Sequence, residues 1–440
     1  MSFRVAAGQK CYGRLVWSVC QPSFQAGDAV GRQMSTFVAA HPDPFVPKPY
    51  PYKQRGFQYT TSLWDGTKKR FTENTKLVVL EGNIGSGKSS IGKEIADRFG
   101  LHHMPEFSMD HILIDQYGTD LRDFYEHFPK TFRIPDIKMF YENPHDFMTA
   151  KMQYVCLFCR WEQYMNALAH IMNTGQGVLL ERSPFSDFVF TNAMRHKGFI
   201  THDFFRVYHL LRKVLLNKLH FWPHLVIYMD TPVDQCLANV KRRGLPYENN
   251  GKVIDKDYLE VIAESYKDMI LEVKEHSKVL IYDWTAALDP DQIVEDIERL
   301  DFEFYSFQDA QWMLSSWNQI ADDSDWATWR TMFTGKRDMM LTLFDILDFL
   351  WDSEELYVSK HDHLAFIDAM ANKVMRGKFA PGFSAAKGDS VWKMATSPNF
   401  LGWGPGNWYE YFYRGVLYQK NAPMEYLVSP NPEAKKFFPL

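Results

Sequence analysis

From about Thr75 to Phe302, short apolar runs alternate with longer stretches in which apolar residues recur every three or four positions. The short runs predict β-strands, and the longer repeats predict helices that bury one face. The predicted strands are Lys76–Leu80, Leu101–Met104, Gly177–Leu180, Leu225–Met229 and Val279–Tyr282. Because strands that alternate with helices are typical of a parallel sheet covered on both faces, the sequence predicts an α/β fold built on a five-stranded parallel sheet.

The longest helical pattern lies between the second and third predicted strands. Cys156 and Cys159 form a CxxC within it, and no second pair of metal-ligand residues accompanies them. We therefore interpret them as buried cysteines on a helix face rather than as a metal or redox site. The apolar positions of this helix step by three and four: Phe158, Trp161, Met165, Leu168 and Met172.

Beyond about Phe302 the alternation stops and the composition becomes rich in aromatic residues. The stretch from Met332 to Trp351 has a helical pattern, whereas Gly377 to Gly406 predicts an extended tail that another surface would order. The sequence leaves open whether the many tryptophans here are core or interface residues. We assign residues 75–301 to the α/β domain and residues 302–440 to an aromatic-rich C-terminal extension, helical and then extended.

Composition limits the partners. The 440 residues include 49 Lys and Arg against 54 Asp and Glu, a balance that gives no bulk attraction to nucleic acid or anionic lipid. No apolar run approaches the roughly 18 to 20 residues that cross a bilayer, so we expect no transmembrane segment. Five scattered cysteines are typical of a reducing compartment rather than of a disulfide framework.

The first residues have the composition of a targeting signal. Arg4, Lys10, Arg14 and Arg32 alternate with apolar and small residues, and the first acid is Asp28. This pattern resembles a mitochondrial transit peptide over residues 1–35, with an ordinary terminal tail as the alternative. The proline-rich part of residues 36–74 predicts an extended segment that runs over a surface.

A phosphate-binding loop follows the first predicted strand. Residues 82–89 read GNIGSGKS, which satisfies G-x-x-x-x-G-K-[ST] between an apolar strand and a helix. The glycines permit positive φ and let backbone N–H groups converge on phosphate oxygens, while Lys88 would contact the outer phosphates and Ser89 would bind Mg2+. The predicted nucleotide-binding residues are Gly82, Asn83, Ile84, Gly85, Ser86, Gly87, Lys88, Ser89 and Ser90.

Charged residues at the end of the third strand suggest a substrate pocket. Glu181, Arg182 and, five residues after Arg182, Asp187 lie where ligands of open α/β folds bind. Gln153 and Arg160 are seven residues apart on the long helix and therefore share nearly one face. Taken alone, Gln153 or Arg160 would more often be a core residue whose polar groups are hydrogen-bonded within the protein. Together with the phosphate-binding loop they favour a nucleoside pocket, with a glutamine that pairs with a base edge and an arginine that holds an oxygen.

These motifs resemble the deoxynucleoside kinase family over about residues 75 to 300: EGNIGSGKS, the E-R-S run with Asp187, and the Gln153/Arg160 helix. The resemblance implies a P-loop NTPase-type fold. It also implies that Glu106 is the general base that deprotonates the sugar 5′-hydroxyl. The remaining implied roles are Mg2+ binding by Glu181 with Ser89, support of the transferring phosphate by Arg182, organisation of the pocket by Asp187 and reading of the base by Gln153.

The sequence departs from the kinase pattern in the lid over the phosphates. In the kinases this segment carries several arginines that neutralise charge during transfer. An alignment on Cys236, Gly244 and Glu248 keeps Arg243, which we therefore predict to bind nucleotide, but Asn239 and Leu245 stand where the family has arginine. The proline that follows the family's base glutamate is replaced by Phe107. A lost transition-state arginine costs on the order of a thousandfold in rate, so these changes predict weak or absent catalysis.

A closer resemblance covers nearly the whole chain after the targeting signal. The phrases TGQGVLLERSPFSDFVF, PHLVIYMD, VEDIERLDF and KFAPGFSAAKGD look like the alpha subcomplex subunit 10 family of NADH:ubiquinone oxidoreductase, complex I. This resemblance implies an accessory subunit on the matrix side of the mitochondrial inner membrane. It would support assembly or stability, carry no electrons, and dock on other complex I subunits through its extension.

The expected ligand is a purine nucleotide, ATP, ADP or a deoxynucleotide, with Mg2+. FAD has been associated with the family, but no flavin motif is present here. Two hypotheses follow from the resemblances. The first is a structural subunit stabilised by a bound nucleotide, and the second is an active mitochondrial deoxynucleoside kinase that transfers the ATP γ-phosphate to a 5′-hydroxyl.

Overall fold

The computed structural model describes residues 47–53, 56–114, 120–285, 289–302, 314–320, 322–344, 347–369 and 373–374. The predicted transit peptide, residues 1–35, and the predicted extended tail from Gly377 to Gly406 lie outside these ranges. Among the described residues, no helix is long and apolar enough to span a membrane.

A five-stranded parallel sheet forms the centre of the described chain. Its order is β2-β3-β1-β4-β5. The strands are β1 (Leu77–Gly82), β2 (His102–Met104), β3 (Val178–Glu181), β4 (Leu225–Asp230) and β5 (Lys278–Asp283). All five predicted strands are therefore confirmed, with ends that differ by one or two residues. Because parallel strands run the same way, their carboxyl ends share one edge, where the loops that carry Glu106, Arg182 and the glycines after β1 begin.

The α-helices in the described part are α1 (Lys88–Phe99), α2 (Asp110–Leu113), α3 (Ile137–Glu142), α4 (Thr149–Thr174), α5 (Phe188–His196), α6 (His202–Leu219), α7 (Val233–Arg243), α8 (Lys256–Val273), α9 (Pro290–Glu298), α10 (Ser315–Asn318), α11 (Asp323–Phe333), α12 (Arg337–Leu341) and α13 (Lys360–Ala369). Short 3-10 helices lie at Tyr59–Leu63, Lys68–Arg70, Leu121–His127, Lys130–Phe132, Thr342–Phe344 and Asp348–Asp352.

The sheet separates two hydrophobic cores. Successive residues of a strand face opposite sides, so Leu77 and Val79 enter the core that contains α4, whereas Val78 and Leu80 pack with the apolar faces of α1 and α9. Both faces of the sheet are therefore buried, as the continuous apolar run of β1 requires.

Helix α4 runs for 26 residues through the larger core. Cys156 and Cys159 are buried on it as free thiols, and burial raises the pKa of Cys156 to about 12. A thiol with so high a pKa is a poor nucleophile and a poor metal ligand. The interpretation of the CxxC as a pair of buried helix residues is confirmed.

The stretch from Met332 to Trp351, predicted to be helical, is helical in short pieces rather than as one continuous helix. Helix α11 ends at Phe333, α12 spans Arg337–Leu341, and two 3-10 helices follow. Gly335 lies in the gap between α11 and α12, where a Cβ would collide with the carbonyl oxygen of Phe57. The close approach of the N-terminal segment therefore requires glycine at this position.

The described part of the C-terminal extension packs on the α/β domain. Phe221 lies 4.7 Å from the ring of Trp317 and 5.8 Å from that of Trp326, and the Trp317 indole donates to the carbonyl oxygen of Trp222 at 2.7 Å. Both tryptophans are buried in the larger core. Trp317 and Trp326 are therefore core residues rather than interface residues, a choice that the sequence left open.

Candidate nucleotide site

The phosphate-binding loop joins β1 to α1 with the backbone geometry that its glycines permit. Gly85 and Gly87 have φ of 78° and 85°, in the left-handed region. A Cβ on Gly85 would lie 2.8 Å from the carbonyl oxygen of Cys236 in α7, so glycine is required there for packing as well. The loop leads into the N-terminus of α1, whose unpaired N–H groups favour an anion.

Lys88 is folded into this loop. Its ammonium donates to the carbonyl oxygens of Asn83 at 2.8 Å and Gly82 at 3.1 Å, and it contacts the Ser86 hydroxyl at 3.3 Å. Burial, followed by repulsion from Arg182, lowers the pKa of Lys88 to about 7. A phosphate beside this ammonium would restore its preference for the charged form.

Ser89 and Glu181, the two predicted Mg2+ ligands, are in contact. The Ser89 hydroxyl donates to Glu181 Oε2 at 2.6 Å, and His103 Nε2 lies 2.8 Å from the other carboxylate oxygen. The described residues contain no group of three or more His, Cys, Asp or Glu that would hold a metal. A hydroxyl and one carboxylate nevertheless fit Mg2+, which binds few protein oxygens and completes its shell with water and phosphate.

Glu106, the predicted general base, is held by two arginines just after β2. Arg160 donates to Oε1 at 2.9 Å and Arg182 donates to Oε2 at 3.0 Å. Burial acts to raise the pKa of Glu106, but Arg182 and Arg160 outweigh it and lower the pKa to about 2. The carboxylate is therefore ionised at neutral pH, and both of its oxygens are engaged.

Asp187 gathers hydrogen-bond donors from α4 and α6 on the other side of Arg160. Its carboxylate accepts from Gln153 Nε2 at 2.9 Å, from Arg160 and from the hydroxyl of Tyr208. Asp187 is fully buried, and its three donors compensate the buried charge. The structure thus brings Gln153, Arg160, Arg182, Asp187 and Glu106 into one network.

A supporting layer beneath Arg182 was missed by sequence reasoning. Arg182 has a φ of 63° and donates to the Tyr266 hydroxyl at 2.6 Å. That hydroxyl also contacts Glu81 at 3.2 Å, and Ser183 donates to Glu81 at 2.8 Å. Burial raises the pKa of Glu81. A positive φ at a residue other than glycine, as at Arg182, is a common feature of functional sites.

In the lid, Asn239 stands where the kinase family has arginine, and its side chain makes a structural contact. Its amide on α7 donates to the carbonyl oxygen of Gly85 in the phosphate-binding loop at 2.8 Å. Arg243, predicted to bind nucleotide, donates instead to Glu248 at 2.9 Å. Leu245, the second position without arginine, is partly exposed and offers no charge. The lid therefore packs on the loop and presents fewer free cations than the kinase pattern would.

Comparison with known proteins places these features in a family. The model of the deoxynucleoside kinase family matches residues 78–319. Subunit 10 of the NADH dehydrogenase (ubiquinone) 1 alpha subcomplex, mitochondrial, from Rattus norvegicus is 31% identical over 338 residues, covering 75% of this chain and 87% of that protein. The chain belongs to the alpha subcomplex subunit 10 family. The Bos taurus member is 36% identical over 244 residues, which is 55% of this chain and 68% of the relative.

Kinases are more distant relatives of this subunit 10 family member. Deoxyguanosine kinase from Dictyostelium discoideum is 26% identical over 54% of this chain and 73% of that enzyme. A structure of deoxyadenosine kinase from M. mycoides with bound dATP is 18% identical and aligns with 50% of this chain and 96% of its own, at a TM-score of 0.38. Family membership confirms the predicted resemblance and fold class, and it favours the accessory-subunit hypothesis over the kinase hypothesis.

Proposed function

We propose that this protein is an accessory subunit of mitochondrial complex I, on the matrix side of the inner membrane, that holds a purine nucleotide with Mg2+ and carries no electrons. The relatives from rat, mouse and cattle are named as mitochondrial subunits of that NADH dehydrogenase. The observation that carries the proposal is a contrast within one site. The glycine loop has a backbone conformation that suits phosphate binding, whereas Asn239 in the lid offers an amide that donates to the loop instead of a positive charge.

The nucleotide would lie along the carboxyl edge of the sheet. Loop amides and Lys88 would hold its phosphates, and Ser89 with Glu181 would hold Mg2+, which neutralises phosphate charge when bound. Gln153 would face the base, with Asp187 keeping the amide and Arg160 in place. In this role the nucleotide stabilises the folded chain by binding only the native state.

We further propose that phosphoryl transfer is lost or residual. Asn239 and Leu245 supply no charge to a transferring phosphate, and the contact of Arg243 with Glu248 draws that guanidinium toward a carboxylate. A missing arginine of this kind costs on the order of 10³-fold or more in turnover. The competing hypothesis rests on Glu106, Lys88, Arg182 and Asp187, which remain in place.

Labelled ATP and each deoxynucleoside, incubated with the purified protein, separate these two hypotheses. We expect no turnover above that of a Glu106→Gln variant. Robust transfer that disappears in Glu106→Gln would establish an active kinase and overturn this part of the proposal.

An exposed apolar turn offers a surface for docking on another complex I subunit. Leu63 and Trp64 are 83% and 75% exposed, and Tyr59 is 50% exposed. The turn is held in place, because Tyr59 contacts Ser324 at 2.8 Å and the N–H of Lys68 donates to Asp323 at 3.0 Å. Large apolar side chains on a fixed turn are typical of a protein interface.

Native gels test the docking role in full-length protein. We expect co-migration with complex I, lost in a Leu63→Asp/Trp64→Ser variant and retained in Leu271→Asp, which alters an apolar residue 48% exposed on α8. Removal of the residues after Gly377 tests the predicted contribution of the tail in the same assay. If the wild-type chain does not co-migrate, the accessory-subunit proposal is wrong. If the Leu63→Asp/Trp64→Ser variant and the chain that lacks the residues after Gly377 both co-migrate fully, the interface lies elsewhere.

A further inference from the structure

His103 lies in the middle of β2, beside the predicted Mg2+ ligands, and has no role in the function proposed above. Its Nε2 is 2.8 Å from Glu181 Oε1, with 19% of the histidine side chain and 2% of the glutamate side chain exposed. In the sheet, His103 pairs with Leu179, two residues before Glu181 on the same face of β3. The contact is therefore set by strand register rather than by a mobile loop.

The two oxygens of Glu181 have different partners. A carboxylate only accepts hydrogen bonds, so the imidazole donates from Nε2 to Oε1. The other oxygen, Oε2, accepts from the Ser89 hydroxyl at 2.6 Å. His103 thus fixes the rotation of the carboxylate and turns Oε2 toward Ser89 in the first turn of α1.

Helix α1 leaves room for this imidazole. Gly92 lies inside α1, where glycine costs about 1 kcal/mol relative to alanine. A Cβ at Gly92 would lie 3.4 Å from His103 Nε2 and 3.1 Å from Leu80 Cδ2. The backbone conformation of Gly92 does not require glycine, so the close approach of these side chains accounts for it.

We propose that His103 is a positioning residue for the metal: by holding Glu181 Oε1 it directs Oε2 and Ser89 Oγ to one point, where they bind the Mg2+ that accompanies the nucleotide. This inference rests on the proposed nucleotide site. Residues that hydrogen-bond a metal ligand orient it, and their loss commonly costs 10- to 100-fold in metal affinity. His103 acts through Glu181 and need not touch the metal or the phosphates.

The test compares nucleotide binding with and without metal. Affinity for a fluorescent ATP analogue would be measured in EDTA and across a Mg2+ titration, and direct metal binding would be followed by the electron paramagnetic resonance of Mn2+. For His103→Phe we expect apparent metal affinity to fall about 10- to 100-fold, with little change in metal-free nucleotide binding. His103→Gln, whose amide can donate to Oε1, is expected to recover most of the loss.

His102→Phe is the matched control. His102 precedes His103 on β2, points to the opposite face, and stacks on His170 at 4.6 Å, so its replacement is expected to leave metal affinity unchanged. The inference is overturned if His103→Phe binds metal like the wild type, or if it loses nucleotide affinity equally in EDTA, which would indicate a purely structural role. A wild-type chain that binds no nucleotide would instead refute the proposed function itself.

Discussion

Helix α4 carries a polar cluster near each end, and the two clusters bury charge for different purposes. The cleft cluster, near the N-terminal half, consists of Gln153, Arg160, Asp187, Glu106 and Arg182. The clamp cluster, at the C-terminal end, consists of Asn173, Arg330, Asp65 and Arg70. Gln153 and Asn173 are separated by 20 residues, or about 30 Å along the helix.

The clamp cluster is closed on itself. Arg330 is fully buried, donates to Asn173 Oδ1 at 2.7 Å and pairs with Asp65 at 3.2 Å. The rings of Phe57 and Tyr50 flank its guanidinium at 3.7 and 5.0 Å. The cluster joins the N-terminal segment, α4 and α11 through one cation, so its charges serve architecture.

The cleft cluster is open on one side. Glu106 is 36% exposed, and its pKa is held near 2 by arginines that a ligand would also contact. Lys88, nearby, is a buried cation paired only with neutral oxygens in the phosphate-binding loop. The comparison teaches that burial alone does not mark a binding site. The cleft cluster differs because it places a buried charge that is not fully neutralised beside the carboxyl edge of the sheet.

The largest expected effect comes from breaking the clamp cluster. Replacing Arg330 by Met leaves Asn173 Oδ1 without its donor and Asp65 paired with Arg70 alone, and removal of one member of a buried pair costs up to about 3–5 kcal/mol. We expect that loss in the free energy of unfolding, measured by urea denaturation, while the folded variant binds nucleotide like the wild type. Arg299→Met, at a side chain 65% exposed, is the control. Nucleotide affinity that falls with Arg330→Met would contradict the separation of the two clusters.

Lys88→Ala tests the other side of the comparison, the residues proposed to bind nucleotide rather than those that hold the fold together. A charge-assisted contact is worth about 1.5–3 kcal/mol, so we expect nucleotide affinity to fall about 10- to 100-fold. The free energy of unfolding without nucleotide is expected to stay level or rise, because a costly buried cation is removed. Lys93→Ala, at an exposed position on the same helix, is the control, and calorimetric titration provides the affinity. Equal nucleotide affinity of the Lys88→Ala and Lys93→Ala variants would show that Lys88 does not hold the phosphates.

The smallest expected effect is a pH dependence. Lys88 has a folded pKa of about 7, below its ordinary 10.5, so stability without nucleotide is expected to rise as pH increases between these values. A bound phosphate raises the pKa of Lys88, so nucleotide binding takes up a proton above pH 7. Nucleotide affinity is therefore expected to fall by up to about tenfold for each unit by which the pH rises. Titrations in buffers of different ionisation enthalpy measure the uptake. Lys88→Ala is expected to remove the slope, and a slope that persists would assign it to another group.

The sequence predicted what depends on local pattern. The strands follow from apolar runs, and the phosphate-binding loop follows from glycine spacing between β1 and α1. Residues that the chain brings together from afar were harder to find. His103, Tyr208 and Tyr266 have no distinctive spacing, and their contacts with Glu181, Asp187 and Arg182 arise from strand register and helix packing.

The interruption of the helix after Met332 was available from the sequence, because Gly335 falls inside the helical pattern. The reason for a glycine there was not available, since Phe57 approaches from the N-terminal segment more than 270 residues earlier. Arg330 was equally hidden. One arginine in an aromatic-rich region carries no sign that Asp65 and Asn173 will surround it.

The identity and amount of nucleotide released when the purified protein is denatured tests the central claim most directly. A filled phosphate cradle in a subunit without turnover predicts an equimolar amount of a purine nucleotide, intact after long incubation and absent from Lys88→Ala preparations. Release of no phosphorylated compound from correctly folded protein supplied with millimolar nucleotide would contradict the account, and release of FAD would replace the assigned ligand.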